Sequence, residues 1–170
     1  MGCGKSSVGR RLSALLSCSY ADLDAIIEEN AGRPIPEIFA SEGEKAFRRM
    51  ELDALRDSTV FDLPPGATMV LALGGGTVMT PECAKLVHSH TICVYLRTSL
   101  EELVERLSCK EESSKRPMLN QGAGRKALEQ RIATLMAQRS STYEKTAHII
   151  IDTDEKTVAE VAAEIVRAIR

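Results

Sequence analysis

Gly2-Cys3-Gly4-Lys5-Ser6-Ser7, running directly into Val8-Gly9-Arg10-Arg11-Leu12-Ser13-Ala14-Leu15-Leu16, is the stretch on which the fold turns. Gly4-Lys5-Ser6 ends the phosphate-binding pattern G-x-x-x-x-G-K-[ST]. Val8, Leu12, Leu15 and Leu16 fall at i, i+4, i+7 and i+8, which predicts a helix from Lys5 to about Ser17. In such a turn, backbone N–H groups and the helix N-terminus surround phosphates, the lysine supplies a point charge and the next hydroxyl ligates Mg²⁺. The bland alternative is a glycine-rich turn that merely precedes a helix. The first glycine of the pattern, and the strand that should feed the loop, would lie before Met1. Met1 is therefore expected to be an internal position of a longer polypeptide. The alternative is a polypeptide that starts there with an impaired site.

Outward from this turn, strands and helices alternate. A short strand is expected at Ser19–Ala21, and a helix from about Ala25 to Asn30 closed by Gly32. A further helical region follows Pro34 and Pro36 and runs to about Asp57, burying Phe39, Phe47, Met50 and Leu55. Pro64-Pro65-Gly66 is a loop, and the continuous apolar run Met69–Leu73 reads as a parallel strand covered on both faces. Thr80-Pro81 fits the N-cap and first position of a helix. Thr91–Leu96 is the next strand, and Ser99 with Glu102 makes a capping box before a helix striped by Leu100, Leu103, Val104 and Leu107. The polar stretch of about 109–124 lacks apolar periodicity and reads as a loop. A long helix (about Lys126–Lys145), a strand (His148–Ile151) and a last helix carrying Val158, Val161, Ile165 and Ile169 complete the chain. This alternation implies an α/β layered fold around a mostly parallel sheet.

The 170 residues fit one domain, 1–170, without repeats. Twenty-two Lys and Arg against 24 Asp and Glu leave a net charge of −2, which argues against a chain that coats nucleic acid. No apolar run reaches the ~20 residues of a membrane span. Five separated cysteines (Cys3, Cys18, Cys83, Cys93, Cys109) form no disulfide framework, so a cytoplasmic location is expected. His88-Ser-His90 has no further ligand at zinc-like spacing and reads as a solvated helix end.

Five more patterns carry candidate chemistry. Asp22-Leu23-Asp24 closes the first strand. Residues two apart in a strand share a side, so both carboxylates could face one site; alternatively, Asp24 is an ordinary helix N-cap. Phe47-Arg48-x-x-Glu51 follows. Gly74-Gly75-Gly76 comes straight after the apolar strand, where missing Cβ atoms allow a ligand to approach at the carboxyl end of a sheet; such a triplet is also common in plain loops. Arg116-Pro117-Met118-Leu119 lies in the polar loop, and Arg139-x-x-x-Tyr143 on the long helix. Cys3, at a helix N-terminus, is either a favoured thiolate or an inert small side chain.

Taken in order along the whole chain, these patterns resemble the shikimate kinases. That resemblance implies a three-layer α/β/α P-loop kinase fold of the nucleoside-monophosphate-kinase type, with a five-stranded parallel sheet. The chain supplies four strands, and the absent one would lie in the middle. It also implies ATP-dependent phosphorylation of a shikimate hydroxyl to shikimate 3-phosphate, in aromatic amino acid (chorismate) biosynthesis, with Mg²⁺. By the resemblance, Gly2, Cys3, Gly4, Lys5, Ser6 and Ser7 hold the ATP phosphates, Ser6 ligates Mg²⁺ and Asp22 supports it. Asp24 orients the reacting hydroxyl, Arg48 and Arg139 bind the carboxylate, Gly75 and Gly76 border that pocket, and Arg116 meets the transferred phosphoryl group. Residues of about 25–58 become substrate-binding helices and about 109–124 a lid. Lys156 falls where the family can place a base near the nucleotide. The expected partners are small molecules, ATP and shikimate, with neither nucleic acid nor membrane, and the chain is expected to be a monomer. The rival readings are another small-metabolite kinase such as a gluconate-type enzyme, a more distant nucleoside monophosphate kinase, or an inactive nucleotide-binding protein.

Overall fold

The computed structural model describes residues 2–61, 68–108 and 125–170. Helix α1 (Lys5–Leu16) begins at Gly4, whose φ of 82° only glycine adopts freely, and ends at Ser17. No side chain caps its first turn, so its leading amides remain available to an anion. Strand β1 (Ser19–Asp22) runs into α2 (Leu23–Ala31), which stops at Gly32 in the left-handed region. Helix α3 (Ile35–Arg56) carries proline at its start and is interrupted at Gly43 (φ 77°, ψ 174°). Then come β2 (Met69–Ala72), α4 (Pro81–His90), β3 (Val94–Arg97), α5 (Leu100–Ser108), α6 (Arg125–Thr146), β4 (Ile149–Asp152) and α7 (Val158–Ala168).

The strands form two parallel pairs. β1 lies beside β2, with Ser19 opposite Met69 and Asp22 opposite Ala72; β3 lies beside β4, with Val94 opposite Ile149. Among the described residues, no ladder joins β2 to β3. The break falls where the missing middle strand is expected. Val70 packs into a cluster with Val8, Leu12, Leu96, Ile151, Val161 and Ile165, contributed by α1, α7 and the second strand pair. Its neighbour Leu71 packs the other way, against Leu23, Ile27, Phe47, Leu55 and Val87 of α2, α3 and α4. Successive residues of a strand face opposite sides, so helices cover both faces of β2. This is the three-layer α/β fold.

Several local expectations change. The strand ends at Asp22, so Asp24 belongs to the first turn of α2; the N-cap is Asp22, whose carboxylate accepts from the Asp24 amide. Phe39 is 38% exposed because it precedes the Gly43 break on the outer side, where it leans on Phe47 at 4.6 Å. Met50 and most of β2 are half-buried rather than buried. Only half of the Ser99 capping box forms: Ser99 accepts from the Glu102 amide, but the Glu102 carboxylate turns to Arg106 Nε at 2.7 Å. The complete box is Thr157–Glu160, ahead of α7, where Val158 stays exposed. His88, Ser89 and His90 are exposed at the end of α4, as a solvated helix end requires, and His88 also stacks on His148 at 4.4 Å and contacts the Thr146 carbonyl. Pro64-Pro65-Gly66, Cys109 and the 109–124 loop, including Arg116, lie outside the described residues.

Candidate active site

Two groups of side chains meet across the glycine triplet. The first belongs to the N-terminal turn. Gly2 (φ 73°) and Gly4 hold the turn in left-handed backbone, and Gly2 sits against the Leu103 and Leu107 side chains. α1 returns through Ser17 into β1, which brings the start of the helix to the end of the strand. Ser6 Oγ donates to Asp22 Oδ2 at 3.5 Å, and the Tyr20 hydroxyl donates to the same oxygen at 3.4 Å. The other oxygen, Asp22 Oδ1, caps α2.

Asp24 is therefore held in place by its own backbone. Burial pushes its carboxyl above the ordinary carboxylate range; the charges of Asp22 and Glu51 add to the rise and Lys5 opposes it. A Cβ on Gly74 would stand 2.7 Å from Asp24 Oδ1, 3.2 Å from Thr77 Oγ1 and 3.4 Å from Glu51 Oε1, so glycine is what allows these groups to converge.

The second group is built on α3 and α6. Glu51, only 1% exposed, accepts from Thr77 Oγ1 at 2.6 Å and from Arg48 Nη1 at 2.7 Å. Arg48 also reaches Glu44 at 3.3 Å. Burial works against its charge, but the bonds and charges of Glu51 and Glu44 outweigh it and hold Arg48 above its ordinary value. Its guanidinium lies against Gly76, where a Cβ would meet Nη2 at 2.8 Å. From α6, Arg139 Nη1 donates to the Gly75 carbonyl at 3.0 Å, and the Tyr143 hydroxyl donates to the same oxygen. Arg48 and Arg139 thus meet at adjacent glycines. Two cationic forks converging on one spot are a receptor for a carboxylate.

Sequence reading placed Arg48, Arg139, Asp22, Asp24, Gly75 and Gly76 together, and the structure brings them together. It gave no task to Glu51, Tyr143 or Thr77. The first two carry a signal, since Arg48/Glu51 and Arg139/Tyr143 sit at i, i+3 and i, i+4 on one helix face; Thr77 carries none. Cys3 packs at the edge of two apolar clusters, which favours the inert reading. Lys156 is tied to Glu164 at 2.6 Å. Ser6 and Asp22 offer two hard oxygens to one point, and no cluster of three or more His, Cys, Asp or Glu side chains forms a metal cage among the described residues. That donor set fits Mg²⁺, which keeps water and substrate phosphates as its other ligands.

A glycine turn with lysine, a hydroxyl–carboxylate pair and an arginine fork at the carboxyl end of parallel strands defines a P-loop phosphotransferase for a small carboxylated acceptor. The family profile described as shikimate kinase matches residues 1–170. The shikimate kinase of Dictyoglomus turgidum is 35% identical over 170 residues, covering 100% of this chain and 93% of that protein. A shikimate kinase of Thermus thermophilus is 43% identical over 166 residues, covering 98% and 84%. A solved structure of the Acinetobacter baumannii shikimate kinase in complex with shikimate superposes with a TM-score of 0.85 at 32% identity, covering 99% of this chain and 88% of that one. The chain belongs to the shikimate kinase family.

Proposed function

We propose that the site performs the family's reaction, ATP-dependent phosphorylation of a shikimate hydroxyl, with the residues in the following roles. The amides of Gly2–Ser7 and the uncapped start of α1 receive the phosphates, and Lys5 places its charge on them. Ser6 and Asp22 would hold Mg²⁺, which when bound neutralises charge on the phosphate oxygens. Arg48 and Arg139 clasp the ring carboxylate at Gly75 and Gly76. This fixes the ring so that one hydroxyl faces Asp24. The hydroxyl oxygen bonds phosphorus as the bond to ADP breaks, and the proton passes to Asp24, whose raised proton affinity suits an acceptor. Arg116, outside the described residues, is assigned to the transferred phosphoryl group. Residues 1–170 act as one P-loop kinase domain, with 25–58 as substrate helices and 109–124 as the lid. The same proposal makes the chain a cytoplasmic monomer working on small molecules alone, with neither nucleic acid nor membrane as partner; a net charge of −2 supports the absence of a polyanion partner.

The observation that carries this reading is the meeting of two guanidinium groups at adjacent glycines, beside the half-buried Asp24 carboxylate, which also feels the charge of the phosphate-turn lysine. The test is ADP release by the protein offered ATP and Mg²⁺ with shikimate, gluconate or a nucleoside monophosphate in parallel, the product being weighed by mass spectrometry. Release with shikimate alone, and a ring acid heavier by one phosphoryl group, is the expected result. Equal release with gluconate, or ATP binding without transfer, would refute it in favour of the rival readings.

A further inference from the structure

Tyr20 and Asp22 stand two apart in β1 and share one side of the strand. α1 makes room for the Tyr20 ring at Gly9, where a Cβ would stand 2.7 Å from Cε2 and 3.3 Å from Cδ2. Arg10 lies over the face of the ring, its guanidinium carbon 4.8 Å from the centroid. A phenylalanine ring would make these same contacts, so packing leaves the hydroxyl unexplained. That hydroxyl donates to Asp22 Oδ2 at 3.4 Å, the oxygen that also accepts from Ser6 Oγ at 3.5 Å, while Oδ1 accepts from the Asp24 amide at 3.1 Å. Three elements thus hold one half-buried carboxylate: α1 through Ser6, β1 through Tyr20 and α2 through its cap.

The two hydroxyl groups are not equivalent. Ser6 is exposed and belongs to the phosphate turn, whereas Tyr20 is half-buried and presents its hydroxyl at the end of a rigid ring wedged against α1. The last torsion of an aspartate has broad preferences, so a cap on Oδ1 alone would leave Oδ2 free to swing. A carboxylate oxygen carries two lone pairs, so Oδ2 can accept from Tyr20 and still face a cation or one of its waters. We propose that Tyr20 is a positioning residue for the divalent cation: its hydroxyl locks the plane of the Asp22 carboxylate, so that Oδ2 is aimed towards Ser6 before Mg²⁺ arrives with the nucleotide. The proposal rests on the reading of Ser6 and Asp22 as the cation site and adds a residue outside that pair. Hydrogen-bond partners of metal-binding carboxylates typically change metal affinity by about 10–100-fold, and a bond of 3.4 Å belongs at the lower end of that range.

The test measures Mn²⁺ binding to the protein–ADP complex, from the electron paramagnetic resonance signal of free Mn²⁺, in the parent, Tyr20→Phe, Asp22→Asn and the double variant. Tyr20→Phe keeps the ring and removes the donor. Asp22→Asn keeps a cap oxygen for the Asp24 amide and replaces Oδ2 with an NH₂ group. Tyr20→Phe should weaken Mn²⁺ binding about tenfold and raise the Mg²⁺ concentration for half-maximal ADP release by a like factor. ADP affinity in EDTA, and the shikimate KM at saturating Mg²⁺, should be unchanged. Because Tyr20 acts through Asp22, its loss should make no further difference in the Asp22→Asn background. Equal or tighter Mn²⁺ binding in Tyr20→Phe, an equal loss of ADP affinity in EDTA, or additive losses in the double variant would overturn the proposal and leave the cation site intact. Mn²⁺ held by the parent no more tightly than by ADP alone, or held undiminished by Asp22→Asn, would refute the cation site itself and the proposal with it.

Discussion

Replacing Gly76 with alanine separates substrate recognition from folding. Gly76 has φ −104°, which any residue accepts, so the substitution adds no backbone strain. Its only cost is steric: the new Cβ would lie 2.8 Å from Arg48 Nη2 and 3.0 Å from Nη1, against the 3.4 Å where ordinary contact begins. The guanidinium must retreat by about 0.6 Å. It is not free to do so without loss, because Glu51, fully buried, grips Nη1 at 2.7 Å. The retreat therefore spoils the alignment of the fork towards an incoming carboxylate. A charge-assisted bond contributes about 1.5–3 kcal/mol, so losing one predicts a rise in the shikimate KM of about 10–150-fold. The KM for ATP should stay within about twofold and Tm should fall only slightly, since the Glu51 contact is skewed and not broken. Gly75→Ala is the internal comparison. Its Cβ would meet Arg139 Nη1 at 3.4 Å, an ordinary distance, so the shikimate KM should change by less than about threefold. The assay is initial-rate ADP release across shikimate concentrations at saturating ATP, with thermal melts of each variant. A Gly76→Ala enzyme that saturates with shikimate like its parent, or a Gly75→Ala enzyme impaired as badly, would refute the placement of the carboxylate between these two glycines.

Lys5→Ala should lower kcat by at least about 10²–10³-fold while leaving the melting curve close to the parent, as judged by coupled ADP release and calorimetry. Asp24→Asn should abolish turnover yet stabilise the protein at neutral pH. The wild-type carboxyl has its folded-state proton affinity raised by burial and by Asp22 and Glu51, so ionising it costs stability as pH climbs from the ordinary carboxylate range through the folded value. The gain in Tm should therefore grow as pH rises through the folded-state value and vanish on acidification below the ordinary carboxylate range; a constant gain at all pH would be inconsistent. Gly9→Ala sets two effects against each other within α1. Helix propensity favours alanine by about 1 kcal/mol, but its Cβ would stand 2.7 Å from Tyr20 Cε2, and overpacking of that kind costs about 1–3 kcal/mol. Crowding should win, lowering Tm; a rise in Tm would show that the Tyr20 ring moves aside freely.

Much of this was readable in the sequence because the period of apolar residues survives packing. α1 and α6 lie within a residue of the expected bounds, and α7 carries Val158, Val161 and Ile165 as expected while Ile169 falls just past its end. What was lost is what depends on partners far along the chain. Met69–Leu71 of β2 are half-buried because, among the described residues, β2 pairs along one edge only, a property of the sheet and not of the run Met69–Leu73 itself. Glu102 was drawn from its cap by Arg106, a choice between two local bonds that the sequence leaves open. The catalytic end was legible as motifs, but its wiring was not. Thr77 holds Glu51 from 26 residues away. Asp22 and Asp24 come together through a helix cap, not through the alternation of a strand.

That cap divides one carboxylate between two tasks. Oδ1 of Asp22 is committed to the backbone of Asp24, while among the described residues Oδ2 meets the hydroxyl groups of Ser6 and Tyr20. Asp22 would therefore be able to offer Oδ2 to a cation while Oδ1 keeps its bond to the Asp24 amide. On the proposed roles, Asp24 would keep its place whether or not a cation is bound, and one side chain would separate ion binding from the alignment of the proton acceptor.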